Sequence, residues 1–121
     1  MIIYFIRAEG TEFVKIGRTT KDVLSRLLTL QTGSPIWLHL EATVETKFGS
    51  KPCSDHIVRK IAQKLGYKSH HHEWMIIPTE IDTNRIINVI EDINKQHQAL
   101  TQHQIELLEK AITNHWLQKS S

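Results

Sequence analysis

A single cysteine, Cys53, is all the thiol chemistry in these 121 residues, which excludes an intrachain disulfide and a multi-cysteine zinc site. Long apolar runs are missing too: none approaches the roughly 20 residues that a membrane span requires. The apolar opening, Ile2 to Ile6, has no basic region before it and no small-residue cleavage site after it. It therefore reads as a strand and not as a signal peptide. A cytoplasmic location without a membrane partner is the expectation. Internal repeats and low-complexity tracts are absent. What remains is ordinary: 40% hydrophobic and 23% charged residues, which excludes a disordered chain and leaves room for one domain with a modest core.

Strong net charge is lacking as well, at +2, but its distribution is uneven. Residues 1–79 carry 11 Lys/Arg against 7 Asp/Glu, and residues 80–121 carry 4 against 6. A polyanion would meet the first part more readily than the second.

Along the chain, residues 2–7 and 12–17 are short β-rich runs separated by a turn containing Gly10, which predicts an antiparallel hairpin. Thr19 or Thr20 is expected to cap a helix over 20–31, with Asp22 near its positive end. Residues 36–46 form a third apolar run suited to a strand, and Lys47 to Pro52 a loop. A helix is expected over 54–65, stopped near Gly66. Glu73 to Ile77 reads as a short strand ended by Pro78, and Asp82 as the opening of a helix bearing Ile86, Ile90 and Ile93. Thr101 to Gln104 matches a capping box before a last helix with Ile105, Leu108, Ile112 and Trp116. The pattern ββαβαβαα belongs to the α+β class.

Within this order the residues become more specific. Ile2-Ile3-Tyr4 lies on the first strand and Lys15-Ile16-Gly17 on the second. Arg26 follows on a helix, then Gln31-Thr32-Gly33-Ser34-Pro35, and farther on Glu73-Trp74. The series resembles the phage-type branch of the GIY-YIG nuclease superfamily over roughly residues 2–77. The resemblance implies a small mixed or antiparallel three-stranded sheet flanked by helices in residues 1–79. Residues 80–121 would be a C-terminal helical extension packed on or beside that core. It also implies a metal-dependent endonuclease that cleaves DNA with Mg²⁺ or Mn²⁺. Carried over by position, Tyr4 matches the first-motif tyrosine that orients water, Lys15 stands where a second tyrosine would be, and Arg26 matches the phosphate-stabilising arginine. Gly17, Arg18 and Gln31 would lie along the nucleic acid. A cation beside the developing phosphorane charge and a hard oxygen ligand for the metal are what such chemistry needs.

The metal ligand departs from the pattern. One register puts Ser54 at the family's glutamate and Val58 at its histidine, and packs well. The other puts Asp55 and Arg59 there and preserves a carboxylate. Asp55 is then the candidate metal ligand, with Glu73 a lesser one, although Asp55 also suits a helix cap and Glu73 an exposed strand position. His70-His71-His72 reads as a solvated loop, with a substitute metal or phosphate contact as the minority reading; neighbouring strand residues point to opposite faces, so no zinc site is expected. Trp37 and Trp74 are expected in the core. Two rivals to the nuclease stand beside it. One is a nucleic-acid-binding module that kept the fold and lost catalysis. The other is an interaction or regulatory factor that oligomerises through its C-terminal helices.

Overall fold

The computed structural model describes residues 2–20, 22–46, 54–96, 106–107 and 109–114. In chain order they form β1 (Ile2–Ala8), β2 (Phe13–Thr19), α1 (Val23–Thr32), β3 (Leu38–Glu45), α2 (Ser54–Lys64), β4 (Lys68–His71), β5 (Trp74–Ile76) and α3 (Glu80–Gln96). Residues 106–107 and 109–114 are also helical. The expected 47–52 loop, Cys53, the Thr101–Gln104 capping box and Trp116 lie outside the described residues. No described helix is long and apolar enough to cross a membrane.

The α+β class is as expected, but the sheet is larger. Five antiparallel strands in the order β3-β1-β2-β5-β4 replace the expected three. The outermost strand, β4, is exposed at all four positions, so Lys68 to His71 carry no apolar alternation by which it could be recognised. β1 lies between β3 and β2 and is covered on both faces, which is why it reads as a continuous apolar run. Ile3 and Phe5 join Val14, Ile16, Ile61 and Ile86 in the main core, under α2 and α3. Tyr4, Ile6 and Ala8 point the other way, where Val23, Leu27 and Leu30 of α1 cover them.

Caps fix where the helices start. Asp22, and not Thr19 or Thr20, caps α1: its carboxylate accepts the Leu24 N–H at 3.1 Å, while Thr19 is taken up by the pairing of β2 with Ile2. α3 starts two residues earlier than Asp82. Thr79 caps it, and the Asp82 carboxylate reaches back to accept the Thr79 N–H at 3.0 Å.

One polar group crosses the main core. The Arg7 guanidinium donates to both Glu41 carboxylate oxygens, at 2.5 and 3.0 Å, and to the Ile77 carbonyl at 2.8 Å. Thr83 of α3 donates to the same carboxylate. Only 4% of the Glu41 side chain is exposed. Burial pushes its pKa up, but the hydrogen bonds from Arg7 and Thr83 outweigh that and hold it below the ordinary glutamate value. The network ties β1, β3 and α3 together.

Candidate functional site

β2 has seven residues and β5 three, and their ladder covers only Phe13 to Lys15. Beyond it, α2 reaches the edge of β2 from one face of the sheet: Arg59 Nη1 donates to the Ile16 carbonyl at 3.0 Å. On the same stretch the Ile16 N–H finds the Glu73 carbonyl at 3.0 Å. α1 approaches from the opposite face. Between them opens a groove of about 700 Å³. Lys15 and Arg26 line it from β2 and α1, His56, Arg59 and Lys60 from α2, and His72 and Glu73 from the turn between β4 and β5.

Tyr4 is 1% exposed and lies behind this groove. Its hydroxyl accepts a hydrogen bond from Arg26 Nε at 3.4 Å. That hydrogen bond raises the Arg26 pKa above its already high ordinary value, and the nearby charge of Glu73 adds to the effect. Gly17 makes the position of Tyr4 possible: a methyl group there would fall inside the van der Waals radius of the Tyr4 hydroxyl and 2.8 Å from Cε1. Tyr4, Gly17 and Arg26 thus form one unit, and Lys15 and Arg26 both line the groove.

The charges in the groove are unequal in sign. Glu73 is the one carboxylate among the described residues that line the groove, and it lies 3.2 Å from Lys15 Nζ. Arg59 is paired with Asp55 at 2.6 Å. Arg26 and Lys60 have no ion pair among the described residues. No protein family model, curated protein or solved structure matches this chain.

The remaining candidates are placed less openly. Arg18 is not among the residues lining the groove; its Nε lies 3.8 Å from Asp55, and its Nη1 is buried with no hydrogen-bond partner among the described residues. Gln31 is committed to the chain: its amide donates to the Ile36 carbonyl at 3.1 Å and accepts the Leu38 N–H at 2.7 Å. Asp55 is buried beneath Arg59 and Arg18 and does not face the groove. Each candidate carboxylate already holds a cationic side chain, and no group of three or more His, Cys, Asp or Glu among the described residues is gathered to hold a metal ion. Mg²⁺ usually keeps several of its waters and is held by one or two carboxylates, so either candidate would have to release its cationic partner to serve.

His56, Lys60 and Gln63 line the groove without being expected there, and Arg59, which one register set at the family's histidine, lines it as well. Their spacing of three and four places them on one face of α2, so helical periodicity of polar side chains was the available signal. The histidine triplet is not wholly loop: His70 and His71 belong to β4, and His72 turns the chain with a positive φ of 51°. Trp37, expected in the core, is 73% exposed, while Trp74 is half-buried.

Proposed function

We propose that the groove holds the phosphodiester backbone of a nucleic acid. The observation that carries this reading is the meeting of Lys15, Arg26, Arg59 and Lys60, from three different elements, around one open groove where the only carboxylate among the described lining residues is already paired. Phosphate contacts supply most of the affinity of sequence-independent binding, and Lys and Arg are the side chains that make them. Arg26 is braced from behind by Tyr4, and so presents its charge at a defined place with no ion pair among the described residues to compete for it. The basic balance of residues 1–79 agrees in sign. DNA is the expected ligand. Mobility-shift titration of labelled DNA and RNA oligonucleotides should give micromolar or tighter binding at low salt, weakened about tenfold by Arg26→Ala. Binding that Arg26→Ala leaves unchanged would contradict the reading.

A second reading, metal-dependent cleavage of the bound strand, draws on the meeting of the Tyr4 hydroxyl and the Arg26 guanidinium. A hydroxyl that orients water and a cation that stabilises phosphate would stand in that relation. It requires Asp55 or Glu73 to exchange a cationic partner for Mg²⁺ or Mn²⁺. Incubation of plasmid with either metal, against a chelator control, separates the two readings. The binding reading expects no scission under any of these conditions. Scission that the chelator stops and Glu73→Gln abolishes would establish a nuclease.

A further inference from the structure

The turn between β4 and β5 separates the basic groove from a second cleft of about 300 Å³. A register shift between Ser69 and His71 sets the division. Ser69 and His72 line the groove, whereas His70, the extra residue at the irregularity, and His71 after it both line the cleft. Regular strand alternation would have sent those two histidines to opposite faces. Phe13 and Trp74 complete an aromatic wall, and the Phe13 and His70 rings already lie 4.5 Å apart at 31°. The opposite wall is Ile36 and Leu38.

Groove and cleft share a border. Trp74 lines the cleft, and the ammonium of Lys15, a groove residue, lies 5.8 Å from the centre of its ring. Lys15 and Trp74 are also direct partners across β2 and β5. The Ile36–Leu38 wall is held in place from below: Gln31 grips the Ile36 carbonyl and the Leu38 N–H, and the Ser34 hydroxyl donates to the Ile36 carbonyl at 2.7 Å. Trp37 falls between those two residues in sequence and is exposed, but it is not among the residues that line the cleft.

We infer that the cleft accepts an unpaired base of the strand whose phosphates occupy the groove, so that the ligand is single-stranded nucleic acid. This rests on the reading of the groove given above and adds the class of ligand. A strand leaving Arg26 and Lys15 has an aromatic surface directly beside its backbone, and a base needs only to turn out of its stack to reach it. Proteins that hold single strands combine a cationic track with aromatic platforms in this way. A base inside a duplex is stacked and paired, and cannot enter a side cleft without unpairing. The cleft volume lies at the small end of ligand pockets, about 300–1,000 Å³, and suits one ring system. Gln31 acts here as a positioning residue, through Ile36 and Leu38 and without touching the ligand.

The test uses the whole chain and three fluorescein-labelled ligands of equal length: a single strand (as DNA and as RNA), the matching duplex, and an abasic strand that keeps the phosphates alone. Anisotropy, repeated at a low and a high salt concentration, should show the single strand bound at least 5-fold tighter at low salt than either the duplex or the abasic strand, for DNA, RNA or both. His70→Ala and His71→Ala alter exposed side chains that line the cleft and should leave the melting temperature unchanged. Each should lower single-strand affinity several-fold and leave abasic affinity intact. Equal binding of all three ligands would overturn this inference while sparing the groove. Salt-insensitive or absent binding of every ligand would overturn the groove itself. A wild-type dimer in sedimentation that His71→Ala converts to monomer, with ligand preference unchanged, would assign the cleft to a second copy and overturn the inference as well.

Discussion

Gly17 and Tyr4 show how one residue sets the site. A side chain at 17 would drive the Tyr4 ring from its place, and that ring is buried with Arg26 resting on its hydroxyl. Gly17→Ala is expected to lose about 1–3 kcal/mol of stability through overpacking. It should also weaken nucleic-acid binding, whereas Tyr4→Phe keeps the packing and removes only the brace behind Arg26. Thermal melts beside binding titrations separate the two effects; a Gly17→Ala protein as stable as wild type would contradict the packing. Glu41 supplies the pH dependence. Its folded pKa is depressed, so its contribution is present above the ordinary glutamate value, about 4.3. That contribution is lost as pH falls through the lower, folded value. Glu41→Gln should therefore lower stability at pH 7 and flatten the acid limb of a stability profile between pH 5 and 2. An unchanged acid limb would show that Glu41 is not the group responsible.

Among the elements, the hairpin was legible because β1 and β2 are apolar where they are buried, and α2 because Ile57, Val58, Ile61 and Ala62 recur at helical spacing. β4 was not, since an exposed edge strand has no face to bury and so leaves no pattern. Trp37 misled for a related reason. Residue type favours burial, but the 33–37 loop is held by Gln31 and Ser34 rather than by its apolar side chains. Asp55 was visible as a carboxylate, but its partners are the Arg18 and Arg59 side chains, and Arg18 comes from a distant part of the chain. Ionic partners of that kind have no periodicity to announce them. The start of α3 is a further case. The Asp82 carboxylate takes hydrogen bonds from the Tyr67 hydroxyl at 2.6 Å and the Thr79 hydroxyl at 2.8 Å, and these depress its pKa. Asp82→Ala should cost about 1 kcal/mol or somewhat more, as loss of a helix-start carboxylate does. Denaturant melts would read it, and a neutral result would remove Asp82 from the cap.

For the whole molecule, a five-stranded sheet carries α2 and α3 on one face and α1 on the other, and a short β5 leaves part of β2 open between them. The basic groove follows from that mismatch of strand lengths, because it lets cations of α1 and α2 meet across the sheet edge. Glu73 and Asp55 each neutralise one groove cation, which leaves Arg26 and Lys60 as the charges most available to phosphate. Lys60 decides the matter most directly, being half-buried in the groove wall and outside any ion pair among the described residues. The measurement is the dependence of oligonucleotide affinity on salt for wild type and for Lys60→Ala. A phosphate-binding groove predicts log affinity falling linearly with log salt, and a slope shallower by about 1 in the variant. An affinity that salt does not change, or a slope identical in the two proteins, would contradict the assignment of the groove to a nucleic-acid backbone.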